Sequence, residues 1–489
     1  MARRDARAAP AMTGPRAGAS APRGADAPVF DATRLAQATL EVLAANGDDA
    51  PALARRQAAR LARLVDVARA GSPLYRQRLK GVTPGRTPLA HWPIVRKAEL
   101  MQRFDDWVTD PALQLNALRE FIADPARAGQ AFAGRWQVWE SSGSSGEPAI
   151  FVQDAQAMAV YDALESLRRC LPHPLQRWLD PLGLGERYAF VGATDGHFAT
   201  YVSTLRLQRL NPWMAARLRC FSILQPTADL LAQLQDFAPT LIATYPSAAA
   251  LLADEAQSGR LAIHPREVWT GGETLSAAVR QHVQQVFGCA LCNSYGASEF
   301  LAIGWQCSHG RLHANTDWVL LEPVDAQGHP VPAGVLSHTT LLTHLAQFAQ
   351  PLIRYDLGDR LTLMAEPCDC GSPLPVIEVL GRCDDALQLA APRGRSVTLL
   401  PMALTTVLED EARLFDFQLQ QRDRHTLVLR LPLPAAQAAA ALARGCAALR
   451  AFCDRQGLPG IQIVGEAGPA LQHGRSGKTC RVLGLPAAR

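Results

Sequence analysis

Residues 268–299 read VWTGGETLSAAVRQHVQQVFGCALCNSYGASE and carry the clearest indication of the fold class. Residues 268–270 look like a strand and end at two glycines, residues 275–287 look helical, and residues 290–295 look like a strand again. A strand, a helix and a second strand in this order are typical of a parallel sheet with crossover helices. The stretch therefore predicts an α/β fold in which the residues after each strand share one edge of the sheet.

The alternation continues upstream of this stretch. Further strands are predicted at 136–140, 149–152, 188–192 and 241–245, and further helices at 31–70, 154–171 and 247–258. Two strand-like runs within 317–343 flank the turn sequence Asp325-Ala326-Gln327-Gly328 and predict a small antiparallel element. We therefore expect a large α/β domain with mixed sheets and crossover helices over residues 29–380.

The C-terminal part has a different pattern. Helices at 401–411 and 434–456, with strands at 416–420, 425–431 and 461–465, predict a small α+β domain over residues 386–489. The stretch 381–385, Gly-Arg-Cys-Asp-Asp, is interpreted as the hinge that joins the two domains. Residues 1–28 are rich in Ala, Gly, Pro and Arg and are expected to be a disordered tail, with Met12 or a later residue as an alternative start.

The composition narrows the class of protein. Of 489 residues, 48% are hydrophobic, 19% charged and 6% aromatic, values typical of a folded globular chain. The formal net charge is only +4, so a broad electropositive surface for nucleic acid is not expected. No apolar run has membrane-spanning length, and the N-terminus lacks the apolar segment of a secretory signal. We expect a cytoplasmic protein with reduced thiols, and neither nucleic acid nor a membrane as partner.

A loop of small hydroxyl residues precedes the predicted strand at 149–152. Its members are Ser141, Ser142, Gly143, Ser144, Ser145 and Gly146, followed by Glu147 and Pro148. Small residues let a backbone turn tightly and direct its N–H groups to one point, so such a loop can bind phosphate oxygens. No Gly-Lys-Ser/Thr follows, which excludes a Walker A loop. A hairpin tip or a flexible linker is the alternative, and is the more frequent role of Ser/Gly runs.

Two motifs follow strands of the predicted sheet. Thr270-Gly271-Gly272-Glu273 ends one strand, and Ser294-Tyr295-Gly296-Ala297-Ser298-Glu299 ends the next. Ligands of open α/β sheets bind beyond the carboxyl ends of the strands. The ring of Tyr295 can stack on a base, and Glu299 can bind Mg²⁺, which takes few protein ligands besides phosphates. In the alternative interpretation, Tyr295 covers the core and Glu299 begins a helix.

Charged residues beside glycines mark the C-terminal third of the chain. Asp359 follows Gly358, and its carboxylate can accept hydrogen bonds from both hydroxyls of a ribose, with Arg382 beside the same sugar or a phosphate. A surface ion pair is the alternative. Lys478, in the sequence GRSGKTCR at 474–481, is one of only three lysines in the chain. Its ammonium can act as a compact point charge, whereas the alternative is a solvated basic tail.

In this order and spacing the five segments resemble the adenylate-forming superfamily, and most closely its phenylacetate–CoA ligase branch. Residues 141–148 resemble the phosphate loop SSGTTGKP, 295–299 the YGxTE motif, 381–385 the GRxDD hinge and 475–481 the RSxGKxxR ending. Segments 72–76 and 93–100 resemble N-terminal parts of that branch, which also includes enzymes that adenylylate a deazaflavin coenzyme. Glu147 stands where the family loop has a lysine, while Ser144 and Ser145 replace threonines and keep the hydroxyls.

The resemblance implies a two-step ligase that uses ATP, Mg²⁺ and CoA. Residues 142–146 are implied to bind phosphates, and Asp384 is implied as the pivot of the small domain. The remaining nucleotide-binding residues implied are Gly271, Gly272, Glu273, Ser294, Tyr295, Gly296, Asp359 and Arg382. Catalytic roles are implied for Ser298, Glu299 and Lys478. His197, Phe198 and Tyr245 follow other predicted strands and are our candidates for the acid pocket.

A set of cysteines and histidines predicts a metal site. Cys307 and His313 are followed by Cys368 and Cys370, and three thiols with one imidazole make a complete tetrahedral zinc set. His309 is the alternative histidine, and free thiols in a reducing cell are the alternative to a metal. Members of the same branch have similar Cys/His positions, which implies a structural Zn²⁺ that would pin the antiparallel element near the hinge.

We therefore expect ATP-dependent activation of a carboxylic acid to an acyl-adenylate, followed by transfer to CoA. The branch favours an aromatic acid. One alternative is an adenylate-forming enzyme whose acceptor is a carrier protein, an amine or a coenzyme hydroxyl. The other is a non-enzymatic nucleotide-binding or scaffold protein, which Glu147 favours and Lys478, Asp359 and Glu299 oppose. A homodimer is left open.

Overall fold

The structure is a computed structural model, and it describes residues 28–141, 148–169, 185–194, 196–223, 225–382, 387–392, 396–399, 401–468, 471 and 481–485. Its helices are α1 (Ala32–Asn46), α2 (Ala50–Gly71), α3 (Pro73–Arg78), α4 (Lys97–Gln102), α5 (Phe104–Trp107), α6 (Leu115–Ile122), α7 (Ala155–Leu167), α8 (Ala199–Leu210), α9 (Pro212–Ala215), α10 (Thr227–Phe237), α11 (Pro246–Gln257), α12 (Ala277–Phe287), α13 (Pro401–Asp410) and α14 (Ala435–Arg455). Its strands are β1 (Ala131–Phe132), β2 (Trp136–Glu140), β3 (Ile150–Gln153), β4 (Tyr188–Gly192), β5 (Leu218–Ser222), β6 (Leu241–Thr244), β7 (Glu267–Thr270), β8 (Ala290–Ala297), β9 (Phe300–Gln306), β10 (Leu312–Ala314), β11 (Val319–Val324), β12 (Thr339–His344), β13 (Tyr355–Asp356), β14 (Asp359–Leu363), β15 (Val376–Arg382), β16 (Leu387–Ala390), β17 (Ser396–Leu399), β18 (Gln418–Asp423), β19 (Thr426–Leu431), β20 (Gln462–Ala467) and β21 (Val482–Leu483).

A nine-stranded mixed sheet organises the large N-terminal part. Its strand order is β14-β15-β10-β9-β8-β7-β6-β4-β5. The half from β8 to β5 is parallel, and the half from β8 to β14 is antiparallel. Helices α10, α11 and α12 connect the parallel strands, as expected for crossover connections. The structure confirms the α/β fold class predicted from the sequence.

The crossover helix α12 shows how the local sequence sets its own limits. The Ser276 hydroxyl accepts a hydrogen bond from the backbone N–H of Val279 and so caps the first turn. The helix ends at Gly288, whose φ of +60° is the left-handed conformation that glycine adopts without strain. Val279 and Val283 are buried between these ends. The helix thereby delivers the chain from β7 to β8 with both strand ends at the same edge.

Two smaller antiparallel sheets pack in the large part. One contains β1, β2 and β3, and the other contains β11, β12 and β13. The second is the antiparallel element predicted within 317–343, and the carboxylate of Asp325 accepts hydrogen bonds from the N–H groups of Gln327 and His329 in its turn. The third strand, β13, was not expected, and it brings the segment 354–359 onto this sheet.

The C-terminal part has a core of its own. The sheet β20-β19-β18-β21 packs with α13 and α14 around Leu404, Phe417, Leu429 and Leu449. It meets the large part where the ring of Phe415 stacks on His282 of α12, with ring centroids 5.1 Å apart. Gly381 and Arg382 of the predicted hinge end β15, and residues 383–386 lie outside the described residues. Within the described part of the chain, no helix is long and apolar enough to cross a membrane.

Candidate active site and metal centre

The carboxyl edge of the parallel strands gathers the predicted nucleotide-binding motifs. Thr244 pairs with Thr270, and Thr270 pairs with Asn293, so the parallel pairing of β6, β7 and β8 ends at the same level of the sheet. Tyr245, Gly271 and Ser294 are the next residues of these three strands. The Ser294 hydroxyl donates to the carbonyl of Thr270 at 3.2 Å, which ties two of the motifs together. This edge is where open α/β sheets bind their ligands.

Close packing at this edge requires glycine at two predicted positions. A Cβ atom on Gly296 would lie 2.0 Å from the carbonyl oxygen of Leu301, and one on Gly271 would lie 2.9 Å from the Ser294 hydroxyl. Both distances are shorter than carbon and oxygen atoms tolerate. Gly272 has a φ of +79°, which side chains rarely adopt. The glycines therefore allow the close backbone contacts and the turn that form this edge.

Two motifs at the edge are linked by a reciprocal pair of hydrogen bonds. The Tyr295 hydroxyl donates to Oδ2 of Asp359 at 2.6 Å, and the Tyr355 hydroxyl donates to Oε1 of Glu299 at 2.8 Å. Each motif begins with a tyrosine and has a carboxylate four residues later, and each tyrosine bonds the carboxylate of the other motif. We call these two contacts the crossed tyrosine–carboxylate bonds. They place the predicted Mg²⁺ ligand and the predicted ribose ligand on adjoining segments.

The two crossed bonds differ in their surroundings. Glu299 and Tyr355 are 9% and 3% exposed, so their bond is buried, whereas Tyr295 and Asp359 are half-buried. The turn that carries Glu299 is further fixed because the indole N–H of Trp139 donates to the carbonyl oxygen of Ser298 at 2.8 Å. The predicted magnesium ligand is thus held more firmly than the predicted ribose ligand.

The segment before Asp359 is anchored by a buried arginine. Arg354 bonds the Glu322 carboxylate at 3.1 Å and the carbonyl oxygens of Ala90 and Trp92. Burial raises the pKa of Glu322, although the charge of Arg354 opposes the shift. The φ of Arg354 is +49°, an unfavourable value that these contacts maintain. Neither Arg354 nor Tyr355 was assigned a role from the sequence.

Asp359 and Arg382 were both predicted to bind ribose, and the structure makes them neighbours. They pair across the antiparallel strands β14 and β15. Gly358, with a φ of +77°, makes the turn that redirects the chain from β13 into β14. The backbone therefore brings the aspartate and the arginine to one place, as the sequence interpretation required.

The Glu273 carboxylate accepts a hydrogen bond from the protein backbone at the same edge. Its Oε2 accepts a hydrogen bond from the N–H of Ser247 at 3.1 Å, so it caps the N-terminus of α11. Its Oε1 is buried with no hydrogen-bond partner among the described residues. Tyr245 lies nearby, and burial, together with the negative charge of Glu273, raises its pKa to about 12. Tyr245 is therefore a neutral hydroxyl at physiological pH.

The other candidates for the acid pocket are also buried. His197 is fully buried, with Nε2 3.0 Å from the carbonyl oxygen of Asp124 and its ring against Phe121. Burial lowers the pKa of His197, so the ring is neutral. Phe198 is 8% exposed, immediately precedes α8 and pairs with Glu140 at the end of β2. Tyr245 directly follows β6, whereas Phe198 lies beside the end of β2 and His197 is directed toward the segment around Asp124.

Several predicted site residues lie outside the described residues. They are Ser142, Gly143, Ser144, Ser145, Gly146, Asp384 and Lys478. The predicted phosphate loop is bracketed by β2 and β3, which pair antiparallel from Gln137 with Gln153 to Glu140 with Ile150. Downstream of Lys478, the guanidinium of Arg481 bonds Glu409 at 2.5 Å and anchors the chain to α13. The roles of these seven residues stay predictions.

The four predicted metal ligands converge. The thiols of Cys307, Cys368 and Cys370 and the ring of His313 place their ligand atoms within 4.8 Å of one another. The sulfur atoms of Cys307 and Cys368 are 3.8 Å apart, and Cys370 Sγ lies 3.3 Å from His313 Nε2. A tetrahedral zinc ion with Zn–S bonds of about 2.3 Å requires sulfur atoms roughly 3.8 Å apart. The donor types and spacing fit zinc.

The surroundings of His313 fit the role of a ligand. Its Nδ1 lies 2.8 Å from the carbonyl oxygen of Leu374 and donates to it, which leaves the lone pair on Nε2, the atom nearest to Cys370. Burial lowers the pKa of His313, so the ring is neutral. His309, the alternative ligand, is exposed and lies beside Ser308 instead.

The position of the Cys/His cluster corrects one expectation. The cluster was expected to pin the antiparallel element within 317–343. Cys307 instead follows β9, His313 belongs to β10, and the pair at 368 and 370 precedes β15. The cluster therefore joins the antiparallel half of the nine-stranded sheet to the loop between β14 and β15. Sequence separation misled here because β10 has only three residues and gives no strand pattern.

Comparisons with known proteins agree with this geometry. The family model described as AMP-binding enzyme matches residues 209–337, which include α10 to β11. A phenylacetate-coenzyme A ligase from Thermus thermophilus is 33% identical over 186 residues, which are 36% of this chain and 40% of that protein. The chain thus matches about two fifths of the length of this relative.

Solved structures share the fold. A crystal structure of 2-hydroxyisobutyryl-CoA ligase in the postadenylation state has a TM-score of 0.61, with 20% sequence identity over 87% of this chain and 88% of that chain. The same ligase with an acyl-adenylate and CoA in the thioesterification state has a TM-score of 0.51, again at 20% identity, over 88% of this chain and 89% of that chain. These similarities describe the fold of both the large and the small part.

Proposed function

We propose that this chain is an adenylate-forming enzyme that activates a carboxylic acid with ATP and transfers the acyl group to CoA. The observation that carries the proposal is the pair of crossed tyrosine–carboxylate bonds. They join the segment that carries Glu299 to the segment that carries Asp359, and Ser294, next to Tyr295, is bonded to the end of β7. An edge with two carboxylates and a glycine-lined surface suits a magnesium nucleotide.

The proposed first step forms a mixed anhydride. A carboxylate oxygen of the acid attacks the α-phosphorus of ATP, the bond to the β-phosphate oxygen breaks, and pyrophosphate leaves. Catalysis of this kind rests on positioning and on neutralisation of phosphate charge. We assign the phosphates to residues 142–146 and the incoming carboxylate and α-phosphate to Lys478. Mg²⁺ held by Glu299, next to Ser298, would neutralise charge on the phosphate oxygens.

The remaining predicted residues are assigned to the nucleoside of ATP. The adenine is assigned to the segment 271–273 and to Tyr295, and the ribose to Asp359 and Arg382.

In the second step the sulfur of CoA attacks the acyl carbon and AMP leaves. Movement of the small domain about Asp384 would exchange Lys478 for the thiol acceptor between the steps. Acyl-adenylate and CoA are bound by 2-hydroxyisobutyryl-CoA ligase, which shares the fold, and this supports CoA as the acceptor.

We assign the acid to the edge formed by Phe198 and Tyr245, with His197 behind them. The two aromatic side chains are buried, Tyr245 directly after β6 and Phe198 beside the end of β2. Buried aromatic rings favour a flat apolar partner, which supports an aromatic acid. The similarity to a phenylacetate-coenzyme A ligase points the same way.

We also assign a structural zinc ion to Cys307, His313, Cys368 and Cys370. All four positions of a tetrahedral ion are filled by protein, which is typical of structural sites and leaves no position for a substrate. The zinc would supply cross-linking of β9, β10 and the loop before β15. Such a site needs reduced thiols, which supports a cytoplasmic location. A homodimer stays an open prediction.

Acid-dependent exchange of pyrophosphate into ATP tests the first step. A panel of aryl, hydroxyaryl and medium-chain acids should give exchange with one class, and AMP release should then require CoA. The Lys478→Ala variant is the matched control, because it should lose adenylation while it still binds ATP. Exchange with AMP release independent of CoA would indicate another acceptor. Absence of exchange with every acid, in a protein that binds ATP, would favour the non-enzymatic alternative.

A further inference from the structure

Tyr355 makes a buried contact with the proposed magnesium ligand. Its hydroxyl donates to Oε1 of Glu299 at 2.8 Å, and both residues are almost fully buried, at 3% and 9% exposure. A hydrogen bond to a carboxylate inside a protein is stronger than the same bond in water. The bond fixes which way the plane of the Glu299 carboxylate is turned.

The backbone of Tyr355 is held from two sides. It pairs with Leu342 of β12, and the adjoining residues bond Val95, whose N–H donates to the Arg354 carbonyl and whose carbonyl accepts from the Asp356 N–H. Tyr355 is therefore part of a small sheet that is continuous with the N-terminal segment. The position of the Tyr355 backbone is therefore fixed, so the hydrogen bond from its hydroxyl can orient the Glu299 carboxylate.

Glu299 lies on the tight turn between β8 and β9 and needs such orientation. Ala297 pairs with Phe300 across this turn, after an irregularity in the pairing that follows Tyr295. Trp139 fixes the backbone through the carbonyl of Ser298, but this contact leaves the Glu299 side chain to be placed by its own partners. Carboxylates that bind metals are themselves oriented by hydrogen bonds from a surrounding layer of residues.

We propose that Tyr355 is a positioning residue that orients the Glu299 carboxylate for Mg²⁺. The proposal rests on the proposed function, because it takes Glu299 as the magnesium ligand. It adds a residue that the sequence motifs did not identify. Tyr355 would act through Glu299 and would touch neither the nucleotide nor the acid. Its loss should therefore change the dependence on metal rather than the affinity for the acid.

The test replaces Tyr355 with phenylalanine, which keeps the ring and removes the hydroxyl. In ATP–pyrophosphate exchange, the Mg²⁺ concentration for half-maximal rate should rise about 10-fold, the lower end of the effect of removing such orienting partners. The KM for the acid should stay unchanged. Tyr188→Phe is the matched control, because Tyr188 donates to Glu186 at the opposite edge of the sheet. It should leave the Mg²⁺ dependence unchanged.

A second readout separates this proposal from the proposed function. Binding of Mn²⁺ in the presence of ATP, followed by electron paramagnetic resonance, needs no turnover. If the wild-type protein shows no exchange but the Tyr355→Phe variant binds Mn²⁺–ATP about 10-fold more weakly than wild type, the proposed function fails and the positioning role stands. Equal Mn²⁺–ATP affinity in the folded variant, with an unchanged Mg²⁺ dependence of any exchange, overturns the positioning role.

Discussion

The two ends of β9 hold their polar side chains in opposite ways. Glu299, just before the strand, accepts a hydrogen bond from Tyr355, and the neighbouring Asp359 accepts one from Tyr295. Cys307, just after the strand, points its thiol at other potential ligands, as do Cys368 and the remaining members of the Cys/His cluster. The carboxylates at the Glu299 end accept hydrogen bonds from tyrosine hydroxyls of the protein, whereas the thiols and the imidazole at the Cys307 end point toward one another.

This difference matches the two proposed roles, a substrate site that is filled and emptied in each turnover and a metal site that stays occupied. Converging thiols and an imidazole gain a common partner when a metal binds, so binding free energy adds to folding free energy. A carboxylate that must release its hydrogen bond to accept a ligand, as we propose for Asp359 and Tyr295, gains less from that ligand, because the exchange of partners offsets part of the new interaction. A substrate site must release its product, and a carboxylate that exchanges partners in this way is suited to weak, reversible binding.

Replacement of Glu299 by glutamine is expected to have the largest effect. Glutamine keeps an oxygen for the Tyr355 hydroxyl but removes the charge, so the rate of adenylate formation should fall about 10²- to 10³-fold, as when one electrostatic contact to a transition state is lost. The free energy of unfolding should not decrease, because a neutral amide is less costly to bury than a carboxylate. ATP–pyrophosphate exchange and urea denaturation measure the two quantities.

An unfolded or strongly destabilised Glu299→Gln variant would contradict this assignment. It would mean that the buried carboxylate stabilises the fold, and the contrast between the two ends of β9 would disappear. The variant Tyr188→Phe again serves as the control for the loss of a tyrosine–glutamate contact away from the site.

Replacement of Cys368 by serine should affect stability more than activity. The variant should lose its zinc, and its melting temperature should fall by roughly 5–10 °C, because the metal no longer contributes to folding. Adenylation at 25 °C should stay within about tenfold of wild type, since distant sites act independently and Glu299 and Cys307 are separated by the length of β9, roughly 25 Å. Elemental analysis and calorimetry measure both effects.

The matched control for the Cys/His cluster is His309→Ala. His309 was the alternative ligand in the sequence, but it is exposed and outside the cluster. This variant should keep one zinc ion per chain and the wild-type melting temperature. Loss of zinc from it, or retention of zinc by Cys368→Ser, would show that the ligand set has been assigned wrongly.

The sequence predicts the parallel half of the sheet closely because its strands have strong local signals. The run 188–192 coincides with β4, and the strand at 268–270 and the helix at 275–287 agree with β7 and α12 to within two residues. These elements are apolar on their buried side and end at glycines or polar residues. The local sequence pattern and the tertiary environment favour the same secondary structure there, so periodicity alone is sufficient to predict these elements.

Helix α8 shows where periodicity fails. The side chains that it buries include Thr204 and Arg206, because the Arg206 guanidinium pairs with the Asp162 carboxylate at 2.8 Å. A buried ion pair removes the apolar stripe by which an amphipathic helix is found. The crossed tyrosine–carboxylate bonds were missed for a related reason, since each joins residues about 60 positions apart and leaves no local pattern.

The smallest expected effect tests whether the half-buried crossed bond, between Tyr295 and Asp359, is replaced when ATP binds. If Asp359 must release Tyr295 to accept the ribose hydroxyls, Tyr295→Phe should bind ATP about 2- to 5-fold more tightly, which corresponds to about 0.5–1 kcal/mol for a half-buried hydrogen bond. Phenylalanine keeps the ring that we assign to stacking on adenine. Asp359→Asn is the companion variant and should bind ATP about 10-fold more weakly, because the charged acceptor is lost. Isothermal titration measures both affinities. If Tyr295→Phe weakens ATP binding as much as Asp359→Asn does, the tyrosine stays bonded in the complex, and both crossed bonds then orient carboxylates as Tyr355 is proposed to do.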